Sequence, residues 1–394
     1  MIERIKQFIH CKLDGYTFEE YLVMFVCASI FLPFVGSIAA ILFVISYLLY
    51  KRKLWSIIKS VPKAGYLLSF LGITTIVSLV YGNYLGALCG IGMLAIFIFI
   101  LFYRTVINER LFEFIIDASC LASLFCFAWA LMEYYSIVRE FDYRLLDLMI
   151  EDDPRYRINS TFFNANYYAM VIEFLILMCV YKMMNVKSVR RIIYYVVTIF
   201  TNLFALYLTG CRTAWFPFLV TIPLMFYLNK KGPYLVTTCI IIGIGAFAII
   251  LNPEIFPRVD SLVDYYNVRL DIWNASIQGI LTHPLFGQGP LTYYHSYSQY
   301  GGPPTQHAHS IYLDPFLSFG ILPLCMFLLY VFENMKEVIR LYTKKWNVRL
   351  FSLIIGFIIT IFIHGILDYT ILWVQTSLLF FIVFSASSMY MSYE

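Results

Sequence analysis

The chain has 394 residues, of which 61% are hydrophobic, 19% aromatic and only 13% charged. A soluble domain carries about 25% charged residues, so this composition excludes one and points to a membrane protein. The formal net charge of +4 then says little about nucleic acid, and the useful question is where along the chain the positive charges fall.

Arg4, Lys6 and Lys12 precede a long apolar run without a small-x-small cleavage site, so that run reads as membrane sequence rather than a cleaved signal. Residues 21–50 predict a hairpin of two helices, interrupted at Pro33 and Gly36. Spans are predicted near 65–81 and 84–103, joined by a Gly82-Asn83 turn, and near 112–137. A charged segment covers 138–164. Further spans are predicted near 165–184, 192–209, 213–228 and 234–251. The longest polar segment, 252–308, precedes spans near 310–332, 350–366 and 370–391. The fold class expected is an all-α polytopic membrane protein of about 12 helices. It forms a single membrane domain over 1–394, with 138–164 and 252–308 as outer segments capping a site and the second containing short helices. Most of the nine cysteines fall inside apolar segments and read as small core residues rather than a disulfide set.

Cytoplasmic loops are enriched in Lys and Arg. With both termini inside, every lysine of the chain falls on an inner segment. The outer positive charges are all arginines: Arg139, Arg144, Arg155, Arg157, Arg212, Arg258 and Arg269. A guanidinium grips phosphate through paired donors and stays charged at physiological pH. Topology selection acting on lysine alone would leave the same pattern. Arg212, in LTGCRTAW, sits in a link so short that it lies at membrane level, where an unpaired charge costs roughly 3 kcal/mol. Arg269 and Trp273 share one helix face, one turn apart, with an ion pair from Arg269 to Asp271 or Asp264 as the plain alternative.

The rest of the second outer segment is turn-rich and carries Tyr293, Tyr294, Tyr297 and Tyr300. Such rings suit the apolar faces of sugars, and equally a membrane-interface belt. The first outer segment holds RYRINSTFFNAN, from Arg155 to Asn166, a block of amides and hydroxyls that can cap a helix or hold a ligand's polar groups. His364 and Asp368 are four residues apart and would face the same way on a continuing helix. Asp314 is an acid within an apolar run and calls for a partner.

PTQHAHSIYLDPFLSFG, from Pro304 to Gly320, places His307 and His309 where a loop meets a membrane helix. Histidine has an unperturbed pKa of about 6.5, which suits proton transfer. The pair is also half of a zinc site, but zinc needs three or four ligands and no recognisable spacing supplies the others. No nucleophile elbow, P-loop or dinucleotide motif is present, so the expectation is no metal and no cofactor.

With these residues in view, the chain resembles the O-antigen ligase and O-antigen polymerase superfamily of bacterial glycan-assembly enzymes. The pieces that carry the resemblance are RINSTFFNANYYA, LTGCRTAW, VRLDIWNASI with HPLFGQG, and HAHSIYLDPFLSFGIL, in the family's order over about 155–368. His309 stands at the family's distance from Gly320, whereas Pro323 departs from the small or hydroxylated residue expected there. The resemblance implies a GT-C-like, inverting, metal-independent glycosyltransferase of the bacterial cytoplasmic (inner) membrane, with its active site on the outer face. Its donor and acceptor would be undecaprenyl-pyrophosphate-linked glycans. A chain-length regulator and a flippase are further partners, and nucleic acid is not one. Carried over by position, His309 acts at the acceptor hydroxyl and Arg212 and Arg269 hold the pyrophosphate. His307, Asn166, Arg157, Asp368, Trp273, Tyr293 and Tyr294 are candidates for substrate contact or support. The polymerase of capsule, exopolysaccharide or O-antigen is favoured, with the ligase to lipid A core as the alternative. A lipid-linked oligosaccharide flippase or other transporter is the rival from a different class, but such proteins tend to show internal repeats, and none is visible.

Overall fold

The computed structural model describes residues 15–391 except 145–147, 149, 152, 257 and 259–261, so the amino-terminal Arg4, Lys6 and Lys12 lie outside the described residues. No strand occurs among the described residues. Helices stand where the apolar runs predict them: α1 (Phe18–Ser29), α2 (Phe34–Tyr50), α3 (Leu54–Ser60), α4 (Ala64–Val80), α5 (Tyr84–Val106), α6 (Glu109–Glu140), α7 (Ala165–Met183), α8 (Val189–Leu208), α9 (Phe216–Leu228) and α10 (Gly232–Leu251). After them come α11 (Leu262–Thr282), α12 (Thr292–Ser296), α13 (Asp314–Phe319), α14 (Ile321–Thr343), α15 (Val348–His364) and α16 (Val374–Phe384).

Local chemistry sets many of the ends. Thr17 and Glu20 form a reciprocal capping box on α1, with Thr17 N–H donating to Glu20 Oε2 at 2.6 Å. Asn83, Asn108 and Asn164 cap α5, α6 and α7 through their side-chain oxygens. The chain is an α-helical membrane protein. Among the described residues, five helices are long and apolar enough to cross a membrane, and α2 with α3, bent by 99°, would make a sixth. The about twelve crossings expected are not reached by length and composition. α4, α15 and the segments 213–228 and 374–390 are apolar but have only 10–17 residues, and 17 residues rise about 26 Å against a hydrocarbon core of about 30 Å. α10 has no buried residue and is apolar throughout, which suits a helix whose neighbours are lipid tails.

α7 is the hub. Nearly its whole length is buried, and Phe174 stacks on Phe357 of α15 with ring centroids 4.2 Å apart. At one end of the bundle, charges that helix packing buries are paired, as burial requires. Arg104 meets Glu337 at 2.8 Å, and Glu113 receives Lys182 at 2.5 Å and Arg349 at 2.7 Å.

The opposite end differs from expectation in one respect. The span predicted from residue 310 begins at Ile321, because Gly320 (φ 65°, ψ 179°) breaks the chain there. A Cβ at Gly320 would fall 2.4 Å from the Phe286 nitrogen, so only glycine fits this close approach. Residues 310–320 therefore belong to the loop layer, and Asp314 starts a short helix instead of lying within a span. Its partners are the Ala308 N–H at 2.7 Å and the Ser318 hydroxyl at 3.0 Å. A small second core of Ile272, Ala275, Tyr293, Ala308 and Leu317 lies beneath this layer.

Candidate functional site

The α15 helix ends at His364, and the chain turns through Gly365 towards Asp368 before α16. The Ile311 N–H donates to Gly365 O at 2.8 Å, which ties the histidine loop to this link. Arg269 Nε donates to Leu367 O at 2.9 Å and ties α11 to the same link. These two bonds hold the histidine loop and α11 against the link that carries Asp368.

Asp368 is the centre of a polar chain. It is 2% exposed and accepts from the Tyr369 N–H at 2.7 Å, from His309 Nδ1 at 3.2 Å and from Asn166 Nδ2 at 2.5 Å. Asn166 Oδ1 in turn accepts from Arg157 Nη2 at 2.8 Å, and Arg157 Nε donates to Thr209 O at 2.7 Å. In the RINSTFFNAN block, Asn164 does the capping and Asn166 is released for Asp368. Burial pushes the Asp368 carboxyl up, but the imidazoles of His309 and His307 more than reverse this and hold it well below the ordinary carboxylate value. An ionised carboxylate at Nδ1 makes that the protonated nitrogen of His309 and leaves the Nε2 lone pair on the other side of the ring, where the Thr305 hydroxyl lies within donating distance at 3.0 Å.

The two histidines are unlike. The His309 side chain is 22% exposed and that of His307 is 5% exposed. His309 also sits at φ 47°, a left-handed conformation that costs a non-glycine residue on the order of 1 kcal/mol and recurs at functional positions. His307 Nδ1 accepts the His309 N–H at 3.2 Å. Burial first, then the neighbouring His309, lowers the His307 pKa to about 3, so it is neutral at physiological pH. Arg157 is lowered to about 10, chiefly by burial, and keeps its charge there.

Positive charge gathers beside this chain. Arg212 and Arg258 both lie over the Tyr265 ring, at 5.1 and 4.8 Å, and Arg212 Nη1 donates to Arg258 O at 2.5 Å. Arg269, one turn beyond Tyr265, donates to Tyr265 O at 3.4 Å. Its donors thus go to two carbonyls where the sequence offered an ion pair with Asp271; the Asp264 side chain lies outside the described residues. Arg258, Tyr265 and Thr305 were not singled out from the sequence. For Arg258 the exclusive use of arginine on the outer segments was the available signal, and for Thr305 there was none.

One expectation changes, and two candidates take a supporting place. His364 does not meet Asp368, because α15 stops at His364; its Nδ1 instead pairs with Glu173 of α7 at 2.8 Å. Tyr293 is 1% exposed and donates to Pro303 O at 3.0 Å, so it is core beneath the loop, whereas Tyr294 is exposed. Trp273 packs against that same core with its Nε1 unbonded among the described residues. Buried Tyr293 and half-buried Trp273 both belong to the small core beneath the histidine loop.

His307, His309 and Asp368 each offer a ligand atom, all within 4.8 Å of one another. Folding thus assembles three donors that sequence spacing did not reveal, enough to begin a zinc site. Both Asp368 oxygens already serve hydrogen bonds, which fits an orienting carboxylate equally well. Treatment with EDTA separates the two: transfer activity in washed membranes is expected to persist, and its loss with rescue by zinc would establish a metal centre.

Residues 195–328, about a third of the chain, match the family model described as O-antigen ligase. That stretch is similar to the O-antigen ligase family. The match supports a relation to the O-antigen ligase and polymerase superfamily and a function of that general type, without separating the two activities. A search of curated proteins returns no match. The matched stretch contains Arg212, Arg258, Arg269, His307 and His309. Arg157, Asn166 and Asp368 lie outside the matched residues and reach the same site through the fold.

Proposed function

We propose that this protein is a glycan polymerase of the bacterial cytoplasmic membrane, using undecaprenyl-pyrophosphate-linked saccharides and acting on the outer face. The observation that carries the reading is His309, oriented by Asp368, standing beside Arg269, Arg212 and Arg258. In the reaction proposed, a non-reducing-end hydroxyl of one lipid-linked repeat attacks the anomeric carbon of another lipid-linked chain. His309 Nε2 takes the hydroxyl proton as the new glycosidic bond forms. The bond from that carbon to the pyrophosphate oxygen breaks, and the arginines receive the charge left on the departing undecaprenyl pyrophosphate. Attack opposite the leaving group inverts the configuration. Fixed guanidinium charge fills the role that a metal plays elsewhere, which is the argument for metal-independent transfer.

The twelve-span topology with both termini cytoplasmic belongs to this proposal. Its support is the distribution of lysines along the chain. The ligase is the second reading, because the matched family is described as O-antigen ligase. A flippase is disfavoured, since the distinctive residues gather at one end of the bundle and not at its middle. The glycan phenotype of a deletion strain tests the assignment. Single repeat units on the acceptor are expected; long lipid-linked polymer left untransferred would make the protein a ligase, and unaltered surface glycan would remove both.

A further inference from the structure

A second polar concavity lies at the other end of the bundle. Lys182 closes α7 sixteen residues beyond Asn166, which is about 24 Å along the helix. The cavity there has a volume of about 270 Å³, and its lining includes Glu113, Lys182, Lys187, Ser188, Arg191 and Arg349. That is close to the lower end of the roughly 300–1,000 Å³ range of small-molecule sites, so it suits a headgroup and not a whole lipid.

The charges in this cavity do not cancel. Glu113 accepts from Lys182 at 2.5 Å, Arg349 at 2.7 Å and the Tyr181 hydroxyl at 2.7 Å. Lys182 is only 7% exposed and is also bridged to Asp117 at 2.9 Å. The Arg349 guanidinium lies over the Tyr181 ring at 4.2 Å. The carboxylates are thus matched by Lys182 and Arg349, and this partly exposed lattice, anchored on buried Lys182, fixes the walls. Lys187 and Arg191 make no ion pair among the described residues, so the cavity keeps an excess of positive charge. Ser188, at the start of α8, makes no capping hydrogen bond, so no side chain of its own answers the first-turn N–H groups.

Position selects the ligand. The cavity forms where α7 ends and α8 and α15 begin, the level at which membrane helices leave the hydrocarbon and meet phosphate headgroups. Selection of topology accounts for exposed Lys187 and Arg191, but not for a concave site walled by a hydrogen-bonded Lys182–Glu113–Arg349 lattice with Lys182 buried at its base. We propose that this cavity binds the phosphodiester headgroup of an anionic phospholipid, a site separate from the glycan-transfer residues and independent of their assignment.

The test uses the full-length protein in neutral detergent, titrated with phosphatidylglycerol, phosphatidylcholine or inorganic phosphate and read by native mass spectrometry. Wild-type protein is expected to retain phosphatidylglycerol over phosphatidylcholine. The Lys187→Glu/Arg191→Glu variant is expected to lose that preference with affinity falling on the order of tenfold. Lys187→Ala/Arg191→Ala, milder and at two positions outside the ion-pair lattice, is expected to fall part of the way and serves if the reversal fails to fold. Equal retention of both lipids by the wild type would overturn the proposal, as would undiminished phosphatidylglycerol binding in both variants. Millimolar inorganic phosphate that displaces phosphatidylglycerol completely would make a soluble anion the occupant and overturn the lipid assignment.

Discussion

In a His309→Ala variant, chain lengthening is expected to fall by about 10³-fold, within the range for loss of a positioned general base, while the protein accumulates normally in the membrane. The reason is specific to His309. Of the three groups in the cluster it is the most exposed, and its Nε2 points away from the carboxylate that orients Nδ1. Alanine removes the imidazole partner of buried Asp368, which keeps its hydrogen bonds from Asn166 and the Tyr369 N–H, so protein level is followed alongside activity. The companion Asp368→Asn variant keeps the shape but offers His309 Nδ1 an amide, which no longer enforces the productive tautomer. A drop of about 10²-fold is expected there, since misorienting a catalytic histidine is costly even when the site is otherwise intact. The measurement is the polysaccharide ladder of complemented deletion strains, with protein level followed by immunoblot. A normal ladder in His309→Ala would remove it from the chemistry.

The second large effect concerns the arginines. Arg212→Lys and Arg269→Lys are each expected to reduce transfer by about 10²-fold, the scale of losing one preorganised donor to a developing oxyanion. Charge is retained in both, so the loss would report the paired donors and their fixed direction. Arg212 has a further stake, because it stacks on Tyr265 beside Arg258 and donates to the Arg258 carbonyl. Lysine keeps neither the planar stack nor the fork, and Arg258→Lys is expected to behave alike. Groups sharing one ring are coupled, so Arg212→Lys with Arg258→Lys should cost less than the product of the single effects. Transfer by purified protein on a synthetic lipid-linked repeat is the measurement. Full activity in both Arg212→Lys and Arg269→Lys would argue against pyrophosphate gripping.

Much of the fold was legible because lipid is an apolar solvent. A run of apolar residues partitions into it whatever its neighbours are, so α4 through α10 fall within a few residues of the predicted spans. The histidine loop was misread from residue 310 because IYLDPFLSFG is as apolar as a span. Only the close approach of Gly320 to Phe286 shows that it folds into the loop layer. Whether Tyr293 contacts a ligand or supports the loop stayed open for a related reason, since a tyrosine in a turn-rich segment looks the same whether it faces a sugar or fills a core.

The sequence by itself determined the membrane character, the order of the helices, and His309 with Arg212 and Arg269 as residues of interest. Hydropathy and charge report how each stretch partitions between lipid and water, and those properties are local. Which side chains meet was decided by tertiary packing alone. Asp368 bonds to His309 across 59 positions and to Asn166 across 202, and no periodicity in the chain encodes such separations. The partner that His364 lost by the end of α15, the guanidinium pair on Tyr265 and the basic cavity between helix ends all arise from the angles at which helices cross. Those angles follow from complementary side-chain surfaces such as Phe174 on Phe357, which exist only once the helices are together.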